Sequence, residues 1–220
     1  LNYFAHYFFD HSHHSEIHNF GLVLPDFVRN FIKGKRLKPS PQKAFEHKEL
    51  QLLHEGTLKH IDRDAQFHGS KFFKEASVQL GNLIRPAFIE AGIPRVWWGA
   101  HLLTEMMLDR VLIQENPVLI GRFYEDLENT SETIVGMYME QNGIAETTDF
   151  FSRLARFREL RYLLRYTEDE AMVFSLGRVY LYAGVSAEWN HQQVAPLVPL
   201  MKPAENAIST LVSQLKDEML

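Results

Sequence analysis

The chain of 220 residues has no cysteine. That absence excludes disulfides, iron–sulfur clusters, thiolate zinc sites and cysteine nucleophiles. Long apolar runs are also missing. No stretch reaches the ~18–20 residues that a membrane-spanning helix needs, so no membrane association is expected. The opening LNYFAHYFFDHSHH lacks a basic n-region and a small-residue cleavage site, which argues against a signal peptide. A cytoplasmic protein is the expectation. Net charge is −5, which disfavours general nucleic-acid binding. There is no Walker loop, G-x-S-x-G elbow, H-E-x-x-H or dinucleotide fingerprint, so kinase, serine hydrolase, zincin and Rossmann readings have no support. The paired Glu-x-x-His motifs of carboxylate-bridged oxidase bundles are absent too.

Alternating apolar and polar residues bounded by turn dipeptides are nearly absent, and a 3.6-residue period dominates. The sequence therefore predicts an all-α, single-domain multi-helix bundle over 1–220. Aromatics at 12% point to a well-filled core. Predicted helical segments cover about 2–10, 19–32 (interrupted by Pro25), 43–67, 71–91 (with a kink at Pro86), 95–114 and 117–127. Later ones run from a cap at Asn129 to Asn142-Gly143, from Thr147 or Thr148 to 166, from a Thr167/Glu170 capping box to 183, and from 203 to 219. Residues 11–18 read as a polar loop. The 95–114 segment is apolar almost all round, which marks a buried central helix. Trp97 and Trp98 are expected in the core or on a groove wall.

Two polar stripes stand out. Gly56–His68, GTLKHIDRDAQFH, places His60, Asp64 and His68 at intervals of four, on one face of a helix. The 95–114 segment repeats the spacing with His101, Glu105 and Asp109. If the helices face each other, imidazoles and carboxylates converge as divalent cations require. The plainer alternative is that each stripe is a solvated edge, and spacing alone leaves both open. His6 lies in an apolar run and reads by itself as a core histidine. Asp26 reads by itself as a helix cap after Pro25.

Four motifs in order resemble the acyl carrier protein phosphodiesterase family. Asn2-Tyr3-Phe4-Ala5-His6 resembles its N-F-L-A-H opening. Gly21 to Arg29 resembles its G-N-x-x-x-D-F-V-[KR] stretch. Gly56-x-x-x-His60-x-x-x-Asp64-x-x-x-His68 resembles its G-x-x-x-H-R-x-I-D-x-x-T-D helix, and Glu105-x-x-x-Asp109-Arg110-Val111-Leu112 its D-x-x-x-D-H-F-L helix. The resemblance covers about residues 1–112. It implies an HD-domain-like helical fold and a divalent metal, manganese first, with iron or zinc as alternatives. It also implies hydrolysis of a phosphodiester on an acyl carrier protein, or of a small phosphoester.

Carried over by position, His6, Asp26, His60, Asp64 and Asp109 are site residues, with His68 and Glu105 standing where the family has aspartates. His60, Asp64, His68, Asp26, Glu105 and, from its stripe alone, His101 are candidate metal ligands, and Asp26, His6 and Asp109 candidate catalytic groups. Leu22, Ile61 and Arg110 depart from the pattern at the family's Asn, Arg and His. The basic run Arg29, Lys33, Lys35, Arg36 and Lys38 begins three residues past Asp26. Arg29, Lys33 and Arg110 are candidates for a phosphate or an acidic partner. The arginines from Arg153 to Arg165 read as a solvated or salt-bridged face, and His11, His13, His14 and His18 as an adventitious metal trap. The alternative function is a non-catalytic helical binding or structural protein with a remnant metal site.

Overall fold

In the computed structural model the described residues, 1–145 and 147–219, fold as α-helices and short 3-10 turns with no strand among them. The chain forms two compact units, residues 1–66 with 116–162 and residues 67–115 with 163–220. Among the described residues no helix is long and apolar enough to cross a membrane.

The first unit contains α1 (Tyr3–Asp10), α2 (Glu16–Gly21), α3 (Leu24–Phe31), most of α4 (Lys48–Gly69), α7 (Pro117–Asn129), α8 (Glu132–Gln141) and α9 (Thr148–Leu160). Helices α1 and α2 pack on α7, and α3 packs on α9. The first-unit core is aromatic: Tyr3, Phe27 and Phe157 meet with ring centroids 4.9–5.3 Å apart. One oxygen of Asp126 on α7 accepts from the Tyr7 hydroxyl at 2.6 Å and the Asn19 amide at 2.7 Å, tying α1 and α2 to it.

The second unit contains α5 (Lys71–Glu90), α6 (Val96–Glu115), α10 (Asp169–Tyr182), α11 (His191–Val194) and α12 (Met201–Met219). Helices α5, α6 and α12 pack on one another, and α10 packs on α6 and α12. Every residue of α6 from 103 to 113 is buried, as its all-round apolar pattern predicts. Arg110 lies among them and bonds Asp169 of α10 and Glu205 of α12, both at 2.7 Å. A buried guanidinium is tolerated because two carboxylates neutralise it.

Several local expectations need correction. The polar stretch before α2 is partly helical, because the Ser15 hydroxyl accepts from the His18 amide and starts the helix earlier. The 19–32 segment is two helices, with Pro25 in the first turn of α3, where its missing N–H costs no helical bond. Helix α4 starts at Lys48 rather than near Lys43. Ser131, not Asn129, caps α8. Helix α9 stops at Leu160, where Arg161 takes a left-handed conformation, and a 3-10 turn, Tyr162–Thr167, follows. The Thr167 hydroxyl bonds the Leu164 carbonyl, so Glu168 occupies the N-cap of α10. Helix α12 begins at Met201 and accommodates Pro203 in its first turn. Trp97 is exposed, while Trp98 packs on Tyr180 with centroids 4.6 Å apart.

Candidate functional site

Two groups of ligand-type side chains occur among the described residues: His6 with Asp26 and His60, and His68 with His101 and Glu105. The expected stripes are therefore redistributed. His60 and His68 share a face of α4 but belong to different groups.

The first group is buried and its ligand-type atoms lie within 4.8 Å of one another. Its placement follows from two helix crossings. At the first, Gly21 of α2 meets Gly56 of α4: a Cβ on Gly21 would stand 2.5 Å from the Leu53 carbonyl, and one on Gly56 would overlap the His18 carbonyl. Only glycine permits so close an approach. It brings the Leu22 carbonyl within 2.7 Å of His60 Nδ1. A carbonyl can only accept, so Nδ1 carries the proton and Nε2 is the lone-pair nitrogen of the neutral ring.

At the second crossing, Arg63 of α4 forks onto Asp10 of α1 at 2.7 and 2.5 Å, and Lys59 approaches the same carboxylate at 3.4 Å. That clamp sets His6, one turn before Asp10, face to face with His60, with centroids 3.8 Å apart and planes 22° from parallel. Asp26 comes from the first turn of α3, inside the helix and past the Val23 cap position, and Arg29 lies 3.4 Å from its carboxylate. Asp64 sits beside the group. Its Oδ1 is 4.0 Å from His6 Nε2 and 2.8 Å from the Leu1 amino group, and its side chain is 40% exposed.

Arg29 also lines a surface hollow of about 510 Å3 with Gly34, Lys35, Arg36 and Lys38. Most of the basic run thus gathers around one concavity, linked to the first group through Arg29. Lys33 is exposed but is not part of the lining.

The second group is tighter. Nε2 of His68, Nε2 of His101 and Oε1 of Glu105 form a triangle with every side 3.3 Å. Ser70 caps α5 by accepting from the Phe73 amide at 3.0 Å, which ends α4 just after His68 and starts α5 just before Phe73. The Phe73 ring then meets both imidazoles edge to face, at 4.8 and 4.9 Å. Glu105 lies on the buried side of the triangle, and the two imidazoles are about a third exposed. Burial alone would raise the Glu105 carboxyl; surrounding positive charge and the hydrogen bonds from His101 and His68 outweigh it and hold it well below the usual carboxylate range.

Asp109 is fully buried and lies in neither group. Arg110, expected to face a phosphate, has its charge taken up by Asp169 and Glu205 and is only 4% exposed. Neither stripe is simply a solvated edge, since His60, Glu105 and Asp109 are all buried. Of the loop histidines, His13 is held by Arg122 at 2.6 Å. Arg158 and Arg161 pair with Glu132 and Glu128. Sequence reasoning missed the Asp10–Arg63 clamp and Phe73. Asp10 and Arg63 are fifty-three positions apart, and no local pattern links them.

No known protein family, curated protein or solved structure matches the chain.

Proposed function

We propose that the chain is a divalent-metal-dependent phosphoester hydrolase working at the first group. The observation that carries the reading is Asp26. It belongs to a buried two-histidine, one-carboxylate set and also meets Arg29, which lines the basic hollow. A cation-binding set beside a cluster of cationic side chains suits a substrate that carries phosphate.

The residues fit a metal by their chemistry. His60 is held in the Nε2 tautomer by the Leu22 carbonyl, an arrangement common for ligating histidine. His6 and Asp26 complete the set. When bound, the cation polarises a phosphoryl oxygen and lowers the pKa of a coordinated water. Asp64 is the carboxylate with access to solvent, placed to accept a proton. Arg29, Lys35, Arg36 and Lys38 receive and orient the substrate's anionic oxygens. The ordered resemblance to carrier-protein phosphodiesterase motifs supports the same reaction class, with manganese the first metal to try and an acyl carrier protein or small phosphoester the first substrate.

The test is turnover of an aryl phosphodiester and of phosphopantetheinylated carrier protein with manganese, iron or zinc. Metal-dependent hydrolysis is expected, lost in His60→Ala and weakened chiefly in KM by Arg29→Ala/Arg36→Ala. Absence of turnover with every metal would favour the non-catalytic helical protein with a remnant site.

A further inference from the structure

We infer that His68, His101 and Glu105 form a second, self-contained metal site that takes a borderline divalent cation such as zinc, cobalt or ferrous iron. The inference does not rest on the hydrolase reading, because no residue of this site belongs to the first group. His101 also lies outside the motifs that carry the family resemblance.

The geometry makes the case. A cation about 2.1 Å from three atoms that are 3.3 Å apart subtends ligand–metal–ligand angles of about 104°, between octahedral and tetrahedral values. The hydrogen bonds from the two imidazoles to Glu105 are long ones. Each imidazole nitrogen is 3.3 Å from the carboxylate oxygen, beyond the usual N–H···O range of about 2.7–3.2 Å. If both nitrogens donate to Oε1, their two protons converge on one oxygen and stand closer together than the nitrogens, which are 3.3 Å apart. If one does not donate, its approach to the carboxylate sets lone pair against lone pair. A cation at the centre resolves all three contacts at once.

The surroundings fit as well. The ring centroids are 5.0 Å apart while the nitrogens are 3.3 Å apart, so the nitrogen edges lean together. Phe73 braces both rings from one side. Glu105, a buried carboxylate, supplies the third donor atom. Two imidazoles and one carboxylate are the donor set of borderline metals rather than of magnesium or calcium. The partial exposure of both imidazoles leaves a solvent-facing side, where water or another small ligand completes the coordination.

The experiment titrates the full chain with Co2+ alone, read by visible absorption, and with Zn2+ alone, read by calorimetry. Wild type is set beside His101→Ala, His68→Gln, His6→Ala and His13→Ala/His14→Ala, with circular dichroism confirming each fold. The expected result is a Co2+ spectrum in wild type, His6→Ala and the loop double variant. In His101→Ala and His68→Gln it is lost, and Zn2+ binds at least about tenfold more weakly. Binding in His101→Ala and His68→Gln equal to wild type overturns the inference. So does loss of binding in the loop variant alone, or no binding by wild type. Failure of hydrolysis with Zn2+ or Co2+ still bound would sink the proposed function and leave this site standing.

Discussion

The two groups contain the same kinds of side chain, two imidazoles and one carboxylate, yet the rings are spaced differently. In His6, Asp26 and His60 the imidazoles lie face to face, 3.8 Å apart. A metal bonded to an imidazole nitrogen lies in the plane of the ring, and two near-parallel rings at that spacing share no such point. The pair must fan apart to ligate one ion. In His68, His101 and Glu105 the imidazole planes are also only 29° from parallel, but the rings are offset, with centroids 5.0 Å apart and nitrogen edges converging at 3.3 Å, so less rearrangement is required. The lesson is that residue type and burial mark a candidate site, while ring orientation decides how much reorganisation binding demands. A buried group that must rearrange suits a centre that assembles with its substrate; a preformed one suits tight resident binding.

The largest test of the contrast removes the brace of the tight group. Arg110 anchors α6, which carries His101 and Glu105, by bonding Asp169 and Glu205. Arg110→Met removes the buried cation that faces Glu205 and leaves it only the exposed Lys202 ammonium as a partner. Breaking such a pair costs about 3 kcal/mol or more, a fall in Tm of about 6–12 °C for a chain of this size. Thermal unfolding measures it. Zn2+ affinity should fall together with stability if rigidity of α6 sets the triangle. Unchanged affinity in a destabilised variant would show that the triangle is local to α4, Phe73 and one turn of α6.

A smaller effect bears on the loose group. Gly56→Ala places a methyl against the His18 carbonyl, so α4 must move off α2. Overpacking of this kind costs about 1–3 kcal/mol. Because the same crossing supplies the Leu22 carbonyl to His60 Nδ1, the variant should also weaken metal binding at the first group while leaving the Co2+ spectrum of the second intact. Chemical denaturation gives the first number and metal titration the second. Loss of both metal responses would mean the two groups are not independent.

The helical class was legible in the sequence because a 3.6-residue period is a local property, and so was the buried character of α6. The i,i+4 spacing of His60, Asp64 and His68 also reported a true shared face. What the spacing does not carry is the partner of each residue. His68 turns to His101 because α4 ends at Gly69 and Ser70 starts α5 at once, whereas His60 turns to His6 because Asp10 and Arg63 clamp α1 to α4. Both causes are tertiary or cap-level. Arg110 was misread for a similar reason: its two carboxylates lie fifty-nine or more positions away, and a lone arginine after an acidic stripe looks like an anion receiver until they are seen.

The smallest effect uses a histidine outside both groups as a reference. His54, on α4, is buried, and its Nδ1 lies 2.9 Å from the Tyr138 hydroxyl, which burial pushes up to about 12 and so keeps protonated. Burial lowers the His54 pKa, so the folded protein binds this proton less readily than the unfolded chain. The stability it contributes is complete above the unfolded value of about 6.5. It is lost as pH falls below that value toward the folded pKa, with a slope of at most about 1.4 kcal/mol per pH unit for one proton. His54→Gln keeps a hydrogen-bonding partner for Tyr138 and removes the titration. Its stability should therefore fall less steeply than wild type between about pH 6.5 and 5, measured by denaturant unfolding at each pH in the presence of a chelator. If the wild-type slope persists in His54→Gln, the acid sensitivity lies elsewhere, with His11 the first group to test, since burial lowers its pKa too.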